Sequence, residues 1–286
     1  MIDLIGDIHG HYLELQKILK ILGYSYTKDE LNHPVNRKLG FVGDFINRGP
    51  QSVEVLTLVK SLCESGKAVA VLGNHEFRLI QNWVAGKEIP QEYKAFIPWL
   101  RTLPLFLDLK TLRIVHAAWH FSSIELLRGK NVNDDSFILD TLEKKSSYKL
   151  AVDQILSGIK ISIPKELKLK DRFGVERAKG RLKWWKDLRG KPYGQCFFSP
   201  MVPAIDDKGP TDEELTVLQP YPKDERPVFI GHYCLPPSVP KVNGQVVCLD
   251  GCVTCDKTLW GYRHNGGAES VDTSNLIKAT VTRENN

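Results

Sequence analysis

The feature that most constrains this chain is a repeated junction, in which a short apolar run stops at a glycine or at a residue able to bind a cation. Ile2–Ile5 runs into Gly6-Asp7, Leu39–Val42 into Gly43-Asp44, and Ala68–Leu72 into Gly73-Asn74. Ile114-Val115 runs into His116, and Val228–Ile230 into Gly231-His232. Runs this short and this apolar read as buried strands. Tyr12, Leu15, Ile18, Leu19 and Leu22 repeat at helical spacing up to Gly23, and Val53–Leu62 carries the same period. Strand and helix alternate, which predicts an α/β fold. Polar residues gather past the carboxyl ends of the strands, the edge where such sheets bind ligands.

After His116 the pattern loosens. Residues 122–225 read as charged helices followed by Pro- and Gly-rich loops, and regular structure resumes at Val228. The expected organisation is a core of residues 1–121 and 226–265, an inserted basic cap over 122–225, and a flexible polar tail over 266–286. Val246–Leu249 and Thr258–Tyr262 read as antiparallel strands. With 286 residues and 42% hydrophobic content, the chain can bury a core without metal or disulfide staples. The net charge of +5 favours an anionic substrate but is too small to call for nucleic acid. Residues 1–20 lack a signal-peptide pattern, and no run reaches the roughly 20 apolar residues of a membrane span. The expectation is a cytoplasmic protein with no membrane partner and six free thiols; a protein exported by a dedicated machine would look the same. The oligomeric state is not legible.

Five motifs carry chemistry: Gly6-Asp7-Ile8-His9-Gly10, Gly43-Asp44-Phe45-Ile46-Asn47-Arg48-Gly49, Gly73-Asn74-His75-Glu76, His116-Ala117 and Gly231-His232. Glycine at these turns is expected to let backbone bend sharply and a phosphate approach closely. Asp7 and His9 alternate past a strand end, so both can reach one cation. Asp44 on the neighbouring strand can bridge two. Asn74, His116 and His232 offer an amide oxygen and two imidazoles for the second. Oxygen and nitrogen donors without thiolate suit Mn²⁺, Fe, Co²⁺ or Zn²⁺ in a catalytic site. Two such ions can generate a shared hydroxide at neutral pH and clamp both the attacking and the leaving oxygen.

In this order the five motifs resemble the signature of the phosphoprotein-phosphatase-type, calcineurin-like metallophosphoesterases. The resemblance implies a β-sandwich flanked by helices and a two-metal site that cuts a phosphate ester or anhydride. It also implies roles: Asp7, His9 and Asp44 on the first metal, and Asp44, Asn74, His116 and His232 on the second. Arg48 would grip the phosphate, and His75 would protonate the leaving oxygen. One position departs. The protein phosphatases carry Asp where this chain has Asn47, and an amide cannot stabilise an imidazolium as a carboxylate does. The bacterial diadenosine-tetraphosphate hydrolases also lack that Asp. Ser52–Leu62 with Val71–His75, and Gly231-His232 with Cys248–Cys252 and Thr258-Leu259, are similar to theirs. The substrate expectation is therefore a dinucleoside polyphosphate. The alternatives are a Ser/Thr or Tyr protein phosphatase acting on phosphoprotein, and a catalytically inactive binding module.

Other features carry plainer readings. His11, His33, His120 and His264 fit no motif and read as structural. Glu76 reads equally as a residue supporting a metal ligand and as a helix cap or salt-bridge partner. Cys248, Cys252 and Cys255 read as ordinary thiols. Lys165–Lys191 holds eleven Lys/Arg against four Asp/Glu, with Trp184 and Trp185 inside it. A charge run is usually a solvated face. If it overhangs the site, Arg181, Lys183 and Arg189 are candidates for distal phosphates, and a Trp for stacking on a base.

Overall fold

A computed structural model describes residues 1–27, 30–167, 170, 174–198, 208–239, 241–267 and 271–280. Parts of the basic segment (168–169 and 171–173), of the Pro- and Gly-rich loops (199–207) and of the tail (268–270 and 281–286) lie outside the described residues. In chain order the strands are β1 (Ile2–Ile5), β2 (Ser25–Thr27), β3 (Glu30–Asn32), β4 (Lys38–Phe41) and β5 (Ala68–Ala70). Then come β6 (Phe106–Asp108), β7 (Arg113–Val115), β8 (Lys160–Ser162) and β9 (Lys179–Arg181). The last are β10 (Val228–Ile230), β11 (Val242–Asn243), β12 (Val246–Cys248), β13 (Thr258–His264) and β14 (Leu276–Thr280).

Two five-stranded sheets form, in the orders β14-β13-β1-β4-β5 and β11-β12-β10-β7-β6. At the centre of each, three strands run parallel: β1, β4 and β5 in the first, β7, β10 and β12 in the second. Leu4, Val42, Ile114, Phe229, Val247 and Tyr262 from both sheets interlock in one buried cluster between them. The helices α1 (Tyr12–Ile21), α2 (Ser52–Glu64) and α3 (Asn74–Val84) bury Leu15 and Ile18, Val55 and Val59, and Phe77 and Ile80 in the second cluster. Each such side chain stabilises the fold by about 1.5–3 kcal/mol. This is the expected sandwich flanked by helices. Between β7 and β10 the chain leaves both sheets, forming the helices Phe121–Leu127, Asp135–Asp140 and Ser147–Ser157 and the separate hairpin β8–β9.

Two expectations need correcting. Val246–Cys248 is antiparallel to the short β11, but it does not pair with Thr258–His264. It runs parallel to β10 in the second sheet, while β13 pairs with β1 in the first. Alternation reports a strand but not its partner. The tail is not loose from residue 266 onward: β14 pairs with β13 from Leu276↔Tyr262 to Thr280↔Thr258. Ala279 is buried and Lys17 of α1 donates to the Thr280 carbonyl at 2.6 Å, so the strand is held by partners remote in sequence.

Candidate metal centre

The loops after β1, β4 and β5 are laced together before any side chain is considered. Ile8 and His9 N–H both donate to the Asp44 carbonyl (3.1 and 2.8 Å), Gly10 N–H to Phe45 and Gly49 N–H to His9 (2.8 Å each). His9, Asp44, Asn47, Arg48 and His232 all have left-handed backbone, with φ of 46, 55, 69, 72 and 74°. Each such residue costs about 1–3 kcal/mol and persists only where its surroundings over-determine it. Glu76 supplies much of that constraint. Its Oε1 accepts from Phe45 and Ile46 N–H (2.8 and 3.2 Å), and its Oε2 from Asp44 and Gly73 N–H (2.9 and 3.0 Å). Glu76 therefore takes on both roles left open by the sequence, capping the start of α3 and holding the Asp44 loop. Two glycines do something the sequence did not suggest. A Cβ on Gly73 would lie 2.1 Å from Asp44 Oδ1, and one on Gly231 1.8 Å from Asp7 Oδ1. These positions are bare because carboxylates lean on them.

The side chains converge on Asp44. Its Oδ2 lies 3.5 Å from His9 Nε2, 3.4 Å from His116 Nε2 and 4.0 Å from His75 Nε2. The ligand atoms of His9, Asp44 and His75 lie within 4.8 Å of one another, as do those of Asp44, His116 and His232. Asn74 Oδ1 sits 3.1 Å from His116 Nε2 and 2.8 Å from His232 Nδ1. His9 Nδ1 is 3.0 Å from the Ile46 carbonyl and His116 Nδ1 2.8 Å from the Val42 carbonyl, so in both rings Nδ1 donates and Nε2 faces the cluster. Asp7 belongs to neither close group. Its Oδ2 accepts from His232 N–H at 2.9 Å, while Oδ1 is buried without a partner. His232 Nε2 is likewise buried and unpaired. Buried polar atoms are normally hydrogen-bonded. Orphaned donors around a shared carboxylate are what a site for divalent cations presents.

The electrostatics describe the same cluster. Burial works to raise the Asp44 carboxyl, yet the imidazoles of His116, His9 and His75 hold it far below the usual range. Burial opposes protonation of His116, but Asp44 and Asp7 push it up to about 10. Burial, with Asp250 and Asp44 nearby, raises Asp7 well above the carboxylate range. Burial also lowers His75 to about 4, against the pull of Asp44 and with help from His9 and Arg48. Such opposed shifts within one cluster mark a site whose charges need a further partner.

His75 Nδ1 and the Asn47 side-chain nitrogen are 2.7 Å apart, so the departing residue does touch the histidine. Arg48 and Arg181 line a cavity of about 810 Å³ together with His9, Asp44, Asn74 and His232. Arg189 does not. It is paired with Asp187 at 2.6 Å and lines a separate groove with Leu188 and Asp212, because a carboxylate two residues away captures it. The tryptophans are also unavailable for stacking. Trp184 and Trp185 are buried against Tyr221 and Phe198 as part of the core. Lys183 donates to the Gln195 carbonyl at 2.9 Å. Sequence reasoning missed Lys160, Lys179 and Tyr233 on the cavity wall. It also expected free thiols, whereas Cys234 and Cys252 form a disulfide. Their loops follow the adjacent parallel strands β10 and β12, and Asp250 accepts from both backbone N–H groups (2.5 and 2.7 Å). A spacing of 18 residues gives no hint of that. Among the described residues no helix is long and apolar enough to cross a membrane.

Comparison with known proteins identifies the family. Residues 1–232 match the family model described as calcineurin-like phosphoesterase. The asymmetrical bis(5'-nucleosyl)-tetraphosphatase PrpE of Geobacillus sp. (strain WCH70) is 42% identical over 106 residues, covering 34% of this chain and 43% of that protein. The symmetrical bis(5'-nucleosyl)-tetraphosphatase of Coxiella burnetii (strain Dugway 5J108-111) is 38% identical over 128 residues, 40% of each. A protein serine/threonine phosphatase structure from Saccharomyces cerevisiae overlays with a TM-score of 0.48 at 15% identity, covering 99% of this chain and 81% of that one. The chain spans between 30% and 59% of the length of the curated relatives it matches.

Proposed function

This chain belongs to the calcineurin-like phosphoesterase family, and on that premise we propose that it is a metal-dependent phosphoesterase whose preferred substrate is a dinucleoside polyphosphate. The observation that carries the reading is the Asp44 carboxylate shared by two ligand groups, with Asp7 Oδ1 and His232 Nε2 unpaired beside it. In this reading Asp7, His9 and Asp44 hold one divalent cation, and Asp44, Asn74, His116 and His232 hold a second. Mn²⁺ is the first candidate, ahead of Fe, Co²⁺ and Zn²⁺. When bound, the two ions supply positive charge to the phosphoryl oxygens and acidify water at neutral pH.

The rest of the chemistry belongs to the protein. The carbonyls of Ile46 and Val42 orient His9 and His116 through Nδ1, as ligand histidines are usually oriented. Arg48, on the strained loop that Glu76 anchors, offers a planar fork to a phosphoryl group entering the cavity. His75 delivers the proton to the leaving oxygen. To act as that acid the ring has to be an imidazolium, with Nδ1–H donating to the oxygen of a flipped Asn47 amide; the Asn47 amide nitrogen 2.7 Å from Nδ1 favours the neutral ring instead. No carboxylate on Nδ1 supports an imidazolium, so good leaving groups are favoured over alkoxides. A nucleoside polyphosphate leaves well, and a serine side chain does not. The tetraphosphatase names of the relatives support the same substrate class.

A panel of p-nitrophenyl phosphate, its bis-ester, diadenosine tetraphosphate, and phosphoserine and phosphotyrosine peptides, each with Mn²⁺, tests the reading by ranking kcat/KM. Diadenosine tetraphosphate should rank first. A phosphopeptide in first place replaces this reading with a protein phosphatase.

A further inference from the structure

The hairpin β8–β9 contributes Lys160, Lys179 and Arg181 to the lining of the cavity that also holds His9, Asp44 and His232, and its register places like charges together. Lys160 stands directly across from Arg181, Ile161 from Gly180, and Ser162 from Lys179. Alternation turns Ile161 and Gly180 inward, where a Cβ on Gly180 would meet the Phe197 ring at 2.0 Å. Backbone bonds from Leu182 to Ile159 and from Phe198 to Arg181, 2.8 Å each, pin the hairpin on both sides. The outward face is therefore fixed, and it carries Lys160, Lys179 and Arg181 into the cavity that also holds Arg48 and His232.

Like charges placed directly across a strand pair destabilise it. None of the three cations forms an ion pair with a described residue. Arg181 is tied by Nε to the Ser157 carbonyl at 3.2 Å, which leaves the rest of its guanidinium for a ligand. Burial together with Arg181 and Lys179 lowers Lys160 to about 8 despite the opposing pull of Asp153. Among the described residues Asp153 acts on Lys160 and Asp250 on Arg181, and Arg177 and Arg48 add further positive charge around Arg181. A cavity of about 810 Å³ fits a small molecule, not the footprint of a protein partner.

We propose that the outward face of β8–β9, with Lys160 and Arg181 opposed and Lys179 on the diagonal, is a specificity subsite for the phosphates that are not cleaved. It rests on the phosphoesterase reading and adds how the site tells a polyphosphate from a monoester. Contiguous phosphates present several charges along one short chain, matching cations held side by side on a rigid strand pair.

The experiment uses Lys160→Ala, Lys179→Ala and Lys160→Arg in the Mn²⁺-loaded enzyme. One arm measures the kcat/KM ratio of diadenosine tetraphosphate to p-nitrophenyl phosphate. The other measures inhibition by inorganic tripolyphosphate relative to orthophosphate, and calorimetric binding of tripolyphosphate. Each alanine variant should lower the ratio and weaken tripolyphosphate binding by about tenfold, the size of one lost charge-assisted hydrogen bond. The change should enter through KM, and Lys160→Arg should restore most of it. Unchanged tripolyphosphate binding in folded Lys160→Ala and Lys179→Ala overturns the subsite. If wild type binds tripolyphosphate tightly through these lysines but does not cleave diadenosine tetraphosphate, the subsite stands and the substrate reading falls. If an alanine variant fails to fold, Lys160→Gln and the salt dependence of wild-type tripolyphosphate affinity replace it, and a salt-independent affinity overturns the proposal.

Discussion

The two walls of the cavity are built on opposite principles. The strand-end wall spends backbone strain on position: five ligand or contact residues sit at positive φ, cross-bonded between loops and anchored by one buried glutamate. The hairpin wall is ordinary antiparallel strand carrying long, flexible cations. The difference teaches that chemistry at a reacting atom needs side chains fixed to a fraction of an ångström, whereas recognition of spread-out charge needs only charge at the right distance.

The contrast breaks first at Asp44. Asp44→Asn removes the only charge common to both ligand groups, so kcat should fall by at least about 10³-fold, with bound Mn²⁺ lost in metal analysis. Chelation of wild type should give the same loss, reversed by added Mn²⁺. Full turnover by metal-free protein would sink the comparison. His75→Ala should cost about 10²–10⁴-fold on diadenosine tetraphosphate and much less on p-nitrophenyl phosphate, whose leaving group needs no proton. Equal losses on both would remove His75 from the acid role.

Glu76→Gln sharpens the account of strain. The amide keeps the shape, but its NH₂ cannot accept, so two of the four backbone N–H groups lose their acceptor. Thermal unfolding should show a loss of about 1–3 kcal/mol, and Mn²⁺ affinity should drop about 10–100-fold although Glu76 is not assigned as a ligand. A variant with wild-type metal affinity would mean the loop holds itself. Asn47→Asp places a carboxylate beside His75 Nδ1, so a smaller effect is expected: kcat/KM for a phosphoserine peptide should rise severalfold relative to diadenosine tetraphosphate at matched pH. A ratio that does not move separates Asn47 from His75 function.

The hairpin wall should respond to pH where the other does not. Lys160 is charged below about 8 and neutral above it, so tripolyphosphate affinity should weaken as pH rises through that value. Facing it are Arg181, Lys179, Lys149 and Asp153; burial of the amine, then the arginine and the two lysines hold the value down, and Asp153 raises it. Lys160→Arg should flatten that part of the titration. An unchanged slope would assign the pH response to another group.

The strand-end wall was legible because each ligand follows the end of a strand within four residues. Asp7, His9, Asp44, Asn74, His116 and His232 could be named from local pattern alone, and parallel strand ends bring such positions together. The hairpin wall was only partly legible. Arg181 could be named from the charge run, but so could Arg189, and nothing local says that Asp187 occupies one while the other faces the cavity. Trp184 and Trp185 misled for a related reason, since an aromatic inside a basic run reads as surface until its packing partners are known.

The sequence by itself determined the strand-and-helix order, the ligand types and the departure at Asn47, because these depend on residues adjacent in the chain. Only the tertiary structure decided the rest. It paired β14 with β13, joined Cys234 to Cys252, pressed carboxylates against Gly73 and Gly231, and set Lys160 across from Arg181. Those contacts link residues separated by 14 positions or more, or join backbone and side chain across loops. Their energies arise only after packing has chosen which surfaces meet.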